Sequence, residues 1–422
     1  MAHHSLSLLG SLAAVAALAS ACTKERPQAT GTESAAAPAA TEGAAAPAAD
    51  YKSVAHRVVT QSAGVSEGDL VLISGSADDL PLLEDIAVEV AKVGGSSLVS
   101  IETASLSRRL YDEVPAKYDS KEPRFAMNIA KNVDVMISTE WGEGKTLKGV
   151  PAERIIARGK TFQPIMATMR KRGIRFVSLG NGLYPNAERS ELFGMSRDDL
   201  SKVMYEGIDA DYAQLVATGA EIQKTLAKGS LVHVTSPGGT DFKVSIKGRP
   251  VLVSDGVISA EDRKRGGAAT SVWLPAGEVY VTPVAGTAEG VIVADHLFYE
   301  GSRIDGLRLE FKAGRMTSMT AKSDLGSLKT FYDASGEGKD LFGVVDIGIN
   351  PNIHVPEGSP VNVWSRAGAV TLSLGNNTWA GGDNQVGFGL PPEVPKATLT
   401  VDGREVVKDG KLVAPLSVAS QH

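Results

Sequence analysis

The segment Thr371 to Pro392 reads TLSLGNNTWAGGDNQVGFGLPP. Its glycines mark turns, the amides of Asn376 and Asn377 can donate and accept hydrogen bonds, and Trp379 offers a flat apolar face. That is equipment for binding a ligand or substrate. Proton transfer and metal ligation need carboxylates and imidazoles, and here the segment is poor. Asp383 is its only acidic residue, and it has no histidine. Nucleophilic catalysis finds no better support elsewhere. SPGGTD at 236–241 lacks the GxSxG elbow, and the single cysteine, Cys22, lies outside the globular pattern. GEGKT at 142–146 lacks the GxxxxGK[ST] spacing of a phosphate loop and reads as a surface loop. No GxGxxG turn follows a strand.

The chain around this segment has 422 residues, 43% hydrophobic and 22% charged. These are globular values, and the length fits two or three domains. A net charge of −6 leaves no basic footprint for nucleic acid. With one cysteine, no intrachain disulfide can form. Residues 5–21, SLSLLGSLAAVAALASA, form an apolar run that is short for a spanning helix. With the following cysteine it resembles a bacterial lipoprotein signal. The expectation is a signal over 1–21 and lipid attachment at Cys22, hence an exported, membrane-anchored envelope protein. The position three before the cysteine is Ala19, and MAHHS has no Lys or Arg, so an ordinary secretory signal or a retained anchor is the alternative. Residues 22–50 are rich in Ala, Pro, Thr and Glu with no apolar stripe, and read as a disordered tether.

Two patterns follow the tether. Over 51–229, strand candidates such as DLVLISGS, SSLVSIE, NVDVMISTE and GIRFVSLG alternate with helical periods such as LPLLEDIAVEVAKVGG. That alternation predicts an α/β domain with a mainly parallel sheet. Over 230–422, short strands separated by PGG, KGR, VDG and KDG turns predict a β-rich, α+β domain.

Six segments occur in a familiar order: GVSEGDLVLISGS, PGGTDFKVSIKGR, WLPAGEVYVTPVAGTAEGVIVADH, IGINPNI, LSLGNNTWAGGDN and TLTVDGREVVKDGKL. Over roughly 51–415 the chain resembles the thermophilic metallo-aminopeptidase family, the type of aminopeptidase T and aminopeptidase S. The resemblance implies a cleft in the β-rich domain, a homodimer, peptides as substrates, and a pair of divalent metals (Zn, Co or Mn). Such a pair makes a hydroxide from a shared water and polarises the scissile carbonyl.

The resemblance also says where the ligands should be. The family's first metal-binding Glu matches Glu278 in LPAGEV. A second Glu would fall at Val344, a His at Thr371, a Tyr at Thr378, and a His-x-Asp pair at Gly389 and Pro391. Valine, glycine and proline side chains have no donor atoms, so five of the six positions break the pattern. Asp346, His354 and Asp383, with Asp295 and His296 in reserve, are the residues from which a metal site could be rebuilt around Glu278. Each also reads as an ordinary loop or surface group, and Glu278 as a carboxylate holding a PAGE turn. Trp379, Asn376 and Asn377 are the substrate-binding candidates; large aromatics such as Trp273 and Trp364 belong as readily to a core. Two expectations follow. One is a descendant with a degenerate metal site, binding peptides or acting as a scaffold without a cofactor. The other is an active aminopeptidase with a rebuilt metal site.

Overall fold

The computed structural model describes residues 50–140, 144–147, 149–299, 302–356 and 360–413. The signal-like run, Cys22, the tether up to residue 49 and the first part of GEGKT lie outside them. The remaining residues form three sheets.

The first sheet is parallel, in the order β2-β1-β3-β4-β8. Its strands are β1 (Leu70–Ser76), β2 (Ser96–Glu102), β3 (Val135–Thr139), β4 (Arg175–Leu179) and β8 (Ser271–Leu274). β3 and β4 are apolar on both faces because both faces are covered. Val71, Ile73, Val135 and Ile137 point to the side packed by Leu82, Leu83 and Ile86 of the helix Leu80–Lys92. Leu72, Met136 and Phe176 point the other way, against Phe162, Ile165 and Met169 of the helix Ala152–Arg172. The expected α/β domain with a parallel sheet is therefore present. Its fifth strand arrives late in the chain, from the WLPAGEV segment.

The helix Ala152–Arg172 starts after Pro151 and stops at Gly173, whose φ of 68° is the left-handed cap that glycine supplies without strain. Its first turns are pinned by Asp119. Arg154 Nε and Arg158 Nε donate to that carboxylate at 2.5 and 2.6 Å, and both guanidiniums also reach backbone carbonyls of Leu110, Tyr111 and Val114. Burial pushes the Asp119 carboxyl up, but the hydrogen bonds from the two arginines outweigh it and hold the group low. Asp119→Ala strands two guanidiniums at once, so a loss of about 3 kcal/mol is expected in urea unfolding; an unchanged midpoint would contradict this role.

The β-rich part holds two antiparallel sheets. The larger runs β12-β11-β10-β6-β5-β16-β17-β18: β5 (Leu231–Thr235), β6 (Asp241–Ser245), β10 (Glu289–Tyr299), β11 (Ser302–Lys312), β12 (Arg315–Thr320), β16 (Thr398–Val401), β17 (Arg404–Lys408) and β18 (Lys411–Leu412). The smaller runs β15-β14-β13-β9-β7: β7 (Val251–Ser254), β9 (Glu278–Val281), β13 (Phe342–Gly348), β14 (Val370–Gly375) and β15 (Gly389–Leu390). VWLPAGEVYV thus serves two sheets, β8 in the first and β9 in the third, with the PAG turn between. This bend puts Glu278 at the junction of the two folds.

Candidate functional site

Residues directly paired across antiparallel strands share a face. In the smaller sheet Ser254 pairs with Glu278, Glu278 with Gly348, Leu252 with Tyr280, Tyr280 with Asp346, Asp346 with Thr371, and Val344 with Ser373. One face therefore carries Ser254, Glu278, Tyr280, Asp346, Thr371 and Ser373. The opposite face carries Val279, Val281, Val345, Ile347 and Leu372 and joins the main core. The polar face is buried too: Glu278 is 2% exposed and Asp346 1%. Trp273, Tyr280 and Trp379 pack over it, with Trp273 and Trp379 edge to face at 5.7 Å.

Glu278 and Asp346 meet on this face and hydrogen-bond to each other. Two carboxylates are both acceptors, so that contact holds a proton. Burial is the main reason both are pushed up, Glu278 to about 7 and Asp346 well above the carboxylate range. Asn181 Nδ2 donates to Glu278 Oε2 at 3.2 Å and opposes part of this; it also donates to Pro275 O at 3.1 Å. No well-formed hydrogen bond from a donor group reaches Glu278 Oε1, either Asp346 oxygen, or the hydroxyls of Ser254, Thr371 and Ser373. Buried polar atoms are normally paired, so this concentration marks a former or present site rather than plain core.

A cavity of about 500 Å³ lies alongside, between the helix Ala152–Arg172 and the strands β14 and β15. Trp273, Phe331, Trp379 and Phe388 give it apolar walls; Ser373 and Asn376 add polar edges. Three of the positions where the resemblance expects metal ligands, Thr378, Gly389 and Pro391, line this cavity. Neither Glu278 nor Asp346 is among its lining residues. Val344 is buried against Leu252, Trp273 and Tyr280, in place of the second Glu.

The other candidates lie elsewhere. His354 and Asp383 are exposed, as is Asp295. His296 Nε2 bonds the Pro360 carbonyl at 2.6 Å. Among the described residues no three His, Cys, Asp or Glu side chains come together as a metal ion would need. Asn376 Oδ1 accepts from the N–H and hydroxyl of Thr378, and Asn377 joins Asn384 N to the Gly343 carbonyl, so both amides build the loop. Trp379 is in the cavity wall. Asn181 and the helix bearing Arg170 were not expected at the site. Asn181 is 97 positions from Glu278 in sequence and carries no local motif.

The donor set does not fit the family's pair of divalent metals. Glu278 and Asp346 supply two carboxylates, no imidazole joins them, and they hold a proton that bound metal would have to displace.

Comparison with known proteins gives the following. Residues 48–348 match the family described as thermophilic metalloprotease (M29). Aminopeptidase PepS of Streptococcus thermophilus is 24% identical over 292 residues, 63% of this chain and 68% of that protein. Among solved structures, wild-type AmpT from Thermus thermophilus superposes with a TM-score of 0.63 at 16% identity, covering 86% of this chain and 99% of AmpT. A 2,5-dihydroxypyridine dioxygenase from Pseudomonas putida KT2440 superposes with a TM-score of 0.55 at 14% identity, covering 88% and 99%. At these identities the two structures show a shared fold.

Proposed function

From the premise that this chain belongs to the thermophilic metalloprotease (M29) family, we propose that it binds peptides without cleaving them. The observation that carries this reading is the lining of the cavity. Thr378, Gly389 and Pro391 stand where the resemblance expects a Tyr, a His and an Asp. The cavity persists at a size that suits a small ligand, while these three positions offer a metal nothing stronger than the Thr378 hydroxyl. Lipid attachment at Cys22, a place in the cell envelope and assembly as a homodimer belong to the same proposal. The first two rest on the signal-like run, the third on family resemblance.

A second reading has one observation behind it. Glu278 Oε1 and the Asp346 oxygens take no hydrogen bond from an N–H or hydroxyl donor, and a single cation displacing the proton they share would satisfy them. One experiment separates the readings. The purified full chain is titrated with Zn²⁺, Co²⁺ and Mn²⁺ by calorimetry and assayed on aminoacyl reporter substrates. The expected result is no stoichiometric metal and no turnover above a metal-free control. Stoichiometric metal, with turnover lost in Glu278→Ala, would establish the active aminopeptidase instead.

A further inference from the structure

The helix Ala152–Arg172 carries four arginines. Three are engaged: Arg154 and Arg158 with Asp119, and Arg172 with the Ala130 carbonyl at 3.0 Å and Asp134 at 3.3 Å. Arg170 is the exception. It lines the cavity, and its side chain has no hydrogen bond or ion pair among the described residues. It is half-buried, and burial pushes its guanidinium down from the ordinary range. A half-buried guanidinium with no protein partner is costly to keep partly out of water, and it is shaped for a planar two-oxygen anion. Lys160 lines the same cavity ten residues earlier on the helix, about 15 Å away along its axis, so the space is long enough for an extended ligand. Between them the helix offers Gln163 and Met166, and the facing wall is largely aromatic, with Glu337 as the only carboxylate in the lining.

We propose that the cavity binds organic carboxylates, with the carboxylate on Arg170 and an apolar body against Trp273, Trp379 and Phe388. This deepens the peptide-binding reading, on which the choice of a peptide's C-terminal carboxylate rests. The same chemistry is also offered by a free medium-chain acid. An arginine in the last turn of a helix has a plainer role, complementing the helix dipole. That role predicts a change in stability and none in ligand preference.

The test uses the purified full chain and three probes: N-acetyl-Leu-Phe with a free C-terminal carboxylate, its C-terminal amide, and octanoate. Binding is followed by calorimetry and by the fluorescence of the wall tryptophans. The free acid is expected to bind about 10- to 100-fold tighter than the amide, the range of a charge-assisted pair. Arg170→Ala should erase that preference, Arg170→Lys should keep part of it, and Lys160→Ala should keep it. Thermal unfolding of each variant confirms folding, and Arg170→Met, which keeps the side chain's bulk, replaces Arg170→Ala if the latter unfolds. Octanoate bound through Arg170 while neither peptide binds would uphold the carboxylate site and remove the peptide reading. Acid and amide bound equally, in wild type or with the same ratio in Arg170→Ala, would overturn the carboxylate site and leave peptide binding standing. Failure of all three probes at about millimolar concentration would overturn both.

Discussion

Asp346→Asn is expected to stabilise the protein near pH 8 while changing little near pH 5. The argument starts from the proton that Asp346 and Glu278 hold between them. In the unfolded chain both carboxyls titrate near their ordinary values; in the folded chain burial raises both, Glu278 to about 7 and Asp346 further. Above about pH 4 the folded state therefore binds more protons than the unfolded state. By linkage its stability falls as pH rises, by about 1.4 kcal/mol per pH unit for each proton held. The stability is full below the unfolded values and is lost on the way up through the folded ones. Asparagine carries a fixed N–H in place of the shared proton, can donate to Glu278, and has nothing to titrate. One proton's worth of slope, about 1.4 kcal/mol per pH unit, should disappear over the range in which the folded pair holds the proton, a relative gain for the variant that grows as pH rises. Urea unfolding at four pH values measures it. Parallel wild-type and variant profiles would refute the shared proton.

The pair also shows what could be read in advance. LPAGEV located Glu278, and the alternation in FGVVDIG placed Asp346 and Val344 on one face of a strand, since side chains alternate at period two. The parallel sheet was legible because strand and helix periods alternate from Tyr51 to Gly229. What stayed hidden depended on contacts between distant segments. Nothing near Asn181 announces that β4 ends beside β9. WLPAGEV gives no sign that its two halves join different sheets. Arg170 sits in RKRG, where a basic cluster before a glycine cap looks like an ordinary helix end. Its lack of a partner emerges only when the helix is laid along β14 and β15.

The fold also separates from the chemistry. AmpT and a 2,5-dihydroxypyridine dioxygenase both share this chain's fold across nearly their whole lengths. A scaffold that carries proteins of such different names does not fix a reaction; the residues in the cleft do. Here those residues are mainly aromatics, amides and hydroxyls, with Arg170, Lys160 and Glu337 as the charged groups, and no imidazole among them.

The backbone of that cleft is the less forgiving part, and Gly375→Ala is expected to damage it severely. Gly375 ends β14 with φ of 86°, in the left-handed region that alanine avoids. Its N–H donates to the Leu341 carbonyl and its own carbonyl accepts from Asn384 Nδ2, both at 2.8 Å, so the chain cannot swing aside freely. A methyl group here would run into the Phe388 carbonyl and lie 3.2 Å from Gly389 Cα. Those atoms are backbone at β15, which lines the cavity, so relief must come from separating two paired strands. Gly381→Ala isolates the conformational part. Its φ is 79°, but the nearest atom to an added methyl is Leu252 Cδ1 at 3.5 Å, an ordinary contact. Gly381→Ala should therefore cost about 1 kcal/mol, and Gly375→Ala about 3 kcal/mol or more, with ligand binding lost at temperatures where the protein is still folded. Equal losses in the two variants would mean that φ alone governs both sites and that the close approach of β14 to β15 is not what shapes the cleft.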